Sequence, residues 1–189
     1  MNLVTDGLPA LALGLDPPDS QLMQRPPVPP DERIFDRGLG AYIVRIGSVF
    51  SVLTLALVAE VLPTETDMSH ADTWKTMVFT TLCLAQMGHA VSCRSELPLT
   101  LGLAQGLVTL PGEPPQMSTN PYLLASVSAT TVLQVLLVYV PALRHLMGIE
   151  AALSGDEMAT CVGYSAALFV YLGVEKYARL AIARAGGRE

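Results

Sequence analysis

Residues 39–62 read LGAYIVRIGSVFSVLTLALVAEVL. This stretch decides the fold class. It covers the roughly 20 consecutive apolar residues that a helix needs to cross the hydrocarbon core of a bilayer. Arg45 is its one interior charge, and Glu60 lies near its end. Three more segments approach that length: residues 74–93, WKTMVFTTLCLAQMGHAVSC, polar for a span but free of charge after Lys75; residues 121–141, PYLLASVSATTVLQVLLVYVP, bracketed by prolines; and residues 157–180, EMATCVGYSAALFVYLGVEKYARL, running into a basic end. Their length and the lack of amphipathic alternation favour spans over buried helices of a soluble domain.

Composition agrees. Hydrophobic residues make up 51% of the 189 and charged residues 15%, and the mean hydropathy is +0.44, high for a soluble domain. That length suits one compact domain or one transmembrane bundle. The net charge of −6, with no basic cluster, excludes nucleic acid as a partner, since binding it requires concentrated Lys and Arg. Cys83, Cys93 and Cys161 are an odd number and lie in apolar stretches, which predicts buried reduced thiols and no disulfide framework. The start of the chain has neither the charged region nor the small-residue cleavage site of a signal peptide.

The opening segment, MNLVTDGLPALALGL, is shorter. Residues 2–15 would rise about 21 Å as a helix, against a hydrocarbon core of roughly 30 Å. They read as half of a transmembrane helix whose other half is expected upstream of Met1. The expected architecture is an all-α membrane protein, a bundle of four transmembrane helices preceded by a half-span broken helix. Residues 1–15 form the half helix, 16–38 a cytoplasmic loop, 39–62, 74–93, 121–141 and 157–180 the spans, and 181–189 a cytoplasmic tail. Arg25, Arg33 and Arg37 lie in the first loop, Arg94 follows the second span, and Lys176, Arg179, Arg184 and Arg188 end the chain. Residues 63–72 carry no Lys or Arg, and 141–157 only Arg144. The positive-inside rule therefore places loop 16–38 and the C-terminus in the cytoplasm. The Pro-rich stretch 20–35 cannot be a helix and reads as a connector. In 95–119, Gly102, Gly106, Pro98 and Pro111 argue against a fifth span.

Asn2, Thr5 and Asp6 are spaced i, i+3 and i+4, so on a helix they share a face. Their amide, hydroxyl and carboxylate oxygens suit a hard cation such as Ca²⁺. Gly7 and Pro9 weaken the helical ladder beside them, and broken helices at membrane depth are tolerated where they line such a site. The competing reading is an ordinary N-cap at a helix start. Gln86, His89 and Cys93 share a face of the second span with Cys83, either as a soft-metal group or as interhelical hydrogen-bond formers. The second reading is preferred for the His and the cysteines, while Gln86 stays a candidate ligand. Arg45 is expected to snorkel or to pair with an acid, and Glu60 and Glu175 to be solvated at span ends. Ser126, Ser128, Thr130 and Thr131 read as helix-packing contacts.

NLVTDGLPALALG followed by DPPDSQLMQRPPVPPDERIF closely resembles the sixth transmembrane helix and following cytoplasmic loop of P-type cation-transporting ATPases of the calcium-pump type. TMVFTTLCLAQMGHAVSCRSE resembles that family's eighth helix, and the last two spans are similar to its ninth and tenth. The resemblance covers essentially the whole chain. It implies that Asn2, Thr5 and Asp6 are cation ligands, and that Gln86 stands where some calcium pumps carry a Glu ligand. A neutral amide there resembles pumps that move one Ca²⁺ per cycle. Val28 departs from a basic residue common in the family's loop.

The resemblance implies a role as the C-terminal membrane-domain fragment of a pump, with Ca²⁺ as the transported ion and Mn²⁺ or Na⁺ as alternatives. The DKTGT phosphorylation motif and the fourth- and fifth-helix ligands do not occur in the sequence. The chain alone is therefore expected neither to hydrolyse ATP nor to hold a complete ion site, and Mg-ATP would act only through other domains. The expected partners are the lipid bilayer and the N-terminal portion of a pump, supplied in trans. The expected location is a bacterial plasma membrane, as a multi-pass protein. The alternatives are a stand-alone four-span assembly or regulatory module packed on another membrane protein, or a non-functional pump remnant.

Overall fold

In the computed structural model the residues described are 6–16, 38–63, 71–93 and 120–186, with Pro27 and Phe35 as isolated points. Asn2, Thr5, Val28 and the loop 95–119 lie outside them. Among the described residues every regular element is an α-helix: α1 Gly7–Gly14, α2 Leu39–Val61, α3 Trp74–Cys93, α4 Pro121–Tyr139, α5 Pro141–Leu146 and α6 Gly155–Gly186. This is an all-α membrane protein.

Local chemistry sets most of these boundaries. Asn120 caps α4, its side-chain oxygen accepting from the Leu123 N–H at 2.9 Å, and Pro121 occupies the first turn, where its missing N–H leaves nothing unsatisfied. The sequence predicts a span to residue 141, but α4 stops at Tyr139. Pro141 holds the residue before it out of the helical region, and Val140 is accordingly extended at φ −82°, ψ 115°. Pro141 then opens α5, which ends at Leu146 and is followed by Gly148 in the left-handed conformation, φ 69°. Ser154 and Glu157 form a capping box on α6. The Ser154 N–H donates to the Glu157 carboxylate at 2.7 Å, and the Glu157 N–H donates to the Ser154 hydroxyl at 3.2 Å. The helix so started runs to Gly186, past the expected end at residue 180.

Among the described residues three helices are long and apolar enough to cross a membrane: Leu39–Val61, Pro121–Tyr139 and Gly155–Arg179. The helix over 74–93, expected as a fourth span, has the length at 20 residues, but Thr76, Thr80, Thr81, Gln86, His89 and Ser92 dilute its hydropathy. Its position explains the composition. α3 packs against α6 most extensively and also touches α4, α2 and α1. It buries Thr76, Met77, Thr80, Thr81, Cys83, Ala85, Met87 and Ser92, whereas the longer α2 buries Ile46, Leu57 and Val61. A helix surrounded by helices can carry polar side chains that a lipid-facing one cannot.

Two apolar clusters hold the bundle. Leu57, Val61, Met77, Val138, Leu153 and Cys161 join the end of α2, the start of α3, the end of α4 and the start of α6. Ile46, Ala85, Leu168 and Leu172 join α2, α3 and α6 toward the other end. Between α3 and α6 the Phe169 side chain packs against Gly88, where an added Cβ would stand 3.4 Å from its ring.

Candidate cation site and its support

α1 begins at Gly7, directly after Asp6. Asp6 occupies the N-cap position with helical backbone angles, and its side chain makes no capping hydrogen bond. The ordinary capping role is thus not taken up, and the carboxylate is exposed. Pro9 is buried within the first turn of α1. Its absent N–H interrupts no helical bond there, because the first four N–H groups of a helix have no partner within it. The ladder starts with the Ala10 N–H donating to the Asp6 carbonyl at 3.0 Å.

An eight-residue helix has no stability of its own, so α1 depends on its docking against α4 and α3. The fastening is Asn120, which is 1% exposed. Its side-chain amide donates to the Ala12 carbonyl at 2.7 Å and to the Asp16 carboxylate at 2.6 Å. The same residue therefore caps α4 and ties down the far end of the helix that starts at Asp6.

Asp6 lies within electrostatic reach of Cys83 on α3. Cys83 is buried, and Gln86, about one helical turn further on, is exposed. Two of the four candidate ligands, Asp6 and Gln86, are thus placed on neighbouring helices with their side chains open. Asn2 and Thr5 lie outside the described residues.

The soft-metal alternative on α3 does not form. His89 stacks on Tyr42, with centroids 6.1 Å apart and planes at 24°, and meets Phe50 edge-on at 5.9 Å. Cys93 turns back to the Ala90 carbonyl of its own helix. All three cysteines are free, and among the described residues no group of three or more His, Cys, Asp or Glu side chains is placed to hold a metal. Of the small polar residues on α4, Ser126 and Thr131 bond to carbonyls of their own helix and Ser128 is exposed, so Thr130 alone of the four is buried.

Glu175 is held in ion pairs, its side chain 17% exposed. It receives Arg45 and Arg179 at 2.7 Å each on one carboxylate oxygen, so Arg45 takes the acid-paired alternative. The Arg45 approach lies off the N–H axis, since the same nitrogen has no aligned hydrogen bond, and the contact is one of charge. Beside it the Lys176 ammonium meets the Ser92 carbonyl, satisfying part of the C-terminal end of α3. At the opposite end Glu60 accepts from the Tyr164 hydroxyl at 2.6 Å. Glu157 is 7% exposed and also accepts from Thr73, joining α6 to the turn before α3.

Asn120, Glu157 and Gln134 are the supporting residues that sequence reasoning missed. Gln134 is 1% exposed and donates to Thr80 at 3.0 Å across the α3–α4 contact. The first two carry a signal: Asn-Pro is a cap followed by a first-turn proline, and Ser154-Gly-Asp-Glu157 fits the capping box. Gln134 stands out only as a polar side chain inside an apolar span.

Residues 1–178 match the family described as "Cation transporting ATPase, C-terminus". The "Calcium-transporting ATPase" of Bacillus subtilis is 34% identical over 171 residues, covering 88% of this chain and 17% of the relative. "Calcium-transporting ATPase 1" of Bacillus cereus is 28% identical, covering 80% of this chain and 17% of the relative. A protein of that same name in Yarrowia lipolytica is 27% identical, with coverages of 94% and 17%. The chain thus spans about a sixth of the length of these curated relatives. An α-helical membrane bundle with this match along nearly all its length is a member of the C-terminal membrane-domain family of the cation-transporting ATPases.

Proposed function

We propose that this chain acts as the C-terminal membrane part of a P-type Ca²⁺ pump, bracing the transport helices and supplying part of the cation site. Asn2, Thr5 and Asp6 are the ligands from the start of the α1 segment, and Gln86 is the further ligand from α3. The observation that carries this reading is the exposure of Asp6 and Gln86 on adjacent helices of a membrane protein. A carboxylate and an amide left open at membrane depth are costly against lipid, and a cation with further helices around it accounts for both. In this reading ATP binding and phosphoryl transfer belong to polypeptide outside these residues, and the remaining ligands come from helices that pack beside α1.

The relatives' names support Ca²⁺ as the transported ion. The clustering of Arg25, Arg33, Arg37 and Arg94 with the basic C-terminal residues supports a cytoplasmic placement of loop 16–38 and of the tail, in a plasma membrane.

The test is co-expression with a polypeptide that carries the phosphorylation and nucleotide-binding domains and the preceding helices. Ca²⁺-stimulated ATP hydrolysis and Ca²⁺ uptake into vesicles are expected to require both parts, and Asp6→Asn is expected to abolish them. Uptake that survives Asp6→Asn at the unsubstituted rate refutes the ligand assignment.

A further inference from the structure

Around the start of α3, the end of α4 and the turn after α5 there is a cavity of about 290 Å³ that takes no part in the cation site. Its mouth carries Asp72, Lys75 and Glu150, and its walls are Trp74, Phe79 and Leu137. The Lys75 ammonium stands 5.6 Å from the centre of the Trp74 ring. Among the described residues neither Asp72 nor Glu150 has an ion-pair partner.

The cavity lies at the ends of the helices. Trp74 is the first residue of α3, and Leu137 is two residues from the end of α4 at Tyr139. From Trp74 to Phe79 the helix rises about 7.5 Å, so the space runs from the helix ends inward past the first turn. Trp and Tyr at the ends of helices in a membrane protein sit at headgroup level. A cavity there, charged at the rim and apolar below, matches an amphipathic molecule with a charged head and a hydrocarbon tail.

The rim selects among heads. Two carboxylates ask for a cation with N–H donors, while one ammonium asks for an anion, so a zwitterion satisfies both. A compact primary ammonium can donate to both Asp72 and Glu150; a trimethylammonium head has no N–H to give. A purely anionic head would meet Lys75 but face the two carboxylates. A water-soluble phosphoamine would present the same charges yet leave Phe79 and Leu137 uncovered. We propose that this cavity is a binding site for an amine-headed phospholipid of the phosphatidylethanolamine type, with its ammonium at Asp72 and Glu150, its phosphate at Lys75 and the start of an acyl chain along Phe79 and Leu137.

The test places the full 189-residue chain in vesicles containing a trace of a photoactivatable phospholipid whose head is ethanolamine, choline or glycerol. Cross-linked peptides are then read by mass spectrometry. The ethanolamine lipid is expected to label peptides spanning residues 71–79 and 147–150 about three- to fivefold more than the choline or glycerol lipids, the range an interface-exposed ion pair supplies. The combined Asp72→Asn and Glu150→Gln substitution is expected to bring ethanolamine labelling down to the choline level, and Lys75→Gln to reduce labelling by all three. Equal labelling by ethanolamine and choline lipids on the unsubstituted chain overturns the proposal without recourse to any variant. So does full competition by excess glycerophosphoethanolamine, which would assign the site to a soluble ligand.

Discussion

Replacing Asn120 by Asp separates two roles that one side chain performs. The shared carboxyl oxygen still accepts from the Leu123 N–H, so the cap on α4 survives. The amide donor is lost, and with it the bonds to the Ala12 carbonyl and the Asp16 carboxylate. A neutral hydrogen bond is worth about 1 kcal/mol net and one to a charged group about 1.5–3 kcal/mol. The new carboxylate also faces that of Asp16. Docking of α1 should therefore weaken by about 3 kcal/mol, raising the ratio of undocked to docked α1 about 100-fold. Asn120→Ala should undock α1 similarly and in addition fray α4, at a further cost of about 1 kcal/mol. The assay is a spin-label distance between Leu15 and Tyr122, both exposed, after substitution of each by Cys and of the exposed Cys93 by Ser. The parent should give one narrow distance, and Asn120→Asp a broad, longer distribution. An unchanged narrow distance in Asn120→Asp would show that apolar contacts alone seat α1 and that Asn120 does not fasten it.

Three further outcomes follow from the same contacts. Glu157→Ala strips acceptors from Thr73 and from the Ser154 N–H and should destabilise the bundle by about 2–3 kcal/mol in detergent unfolding. A double-mutant cycle with Thr73→Ala should show coupling above about 0.5 kcal/mol, and strict additivity would remove the link between α6 and the α3 turn. Glu175→Gln leaves Arg45 and Arg179 without their shared carboxylate. Because Arg45 is 36% exposed, the loss should stay near 1 kcal/mol and shrink as salt is raised; a salt-independent loss would point to packing instead. At Gly88, Ala should be accepted, since its Cβ would meet Phe169 at ordinary contact distance and Ala gains about 1 kcal/mol of helix propensity over Gly. Leu there should destabilise by about 1–3 kcal/mol through overpacking of the α3–α6 contact, and a neutral Gly88→Leu in thermal unfolding would argue against close approach at that point.

Family membership, the helical character of the chain and the punctuation of its helices are determined locally. Asn120-Pro121, Pro141 and Ser154–Glu157 start and stop helices through φ restriction and capping that need only a few neighbouring residues. The motif around Asn2, Thr5 and Asp6 carries the family resemblance without any fold. What the sequence by itself could not decide is which face of each helix meets another helix. In water, an apolar stripe marks the packed face; in a bilayer both lipid and neighbouring helices accept apolar side chains, so the pattern loses that meaning. Residues 74–93 therefore read as one more span, and only the tertiary structure makes α3 the central helix whose threonines are buried among its neighbours. The same holds for the long-range partners. Asn120 reaches Asp16 across 104 positions, Thr73 reaches Glu157 across 84, and Glu175 gathers two arginines where solvation was expected. Each pairing across helices gives a polar group a partner that lipid cannot supply, and which group finds which distant partner is fixed only when the helices are brought side by side.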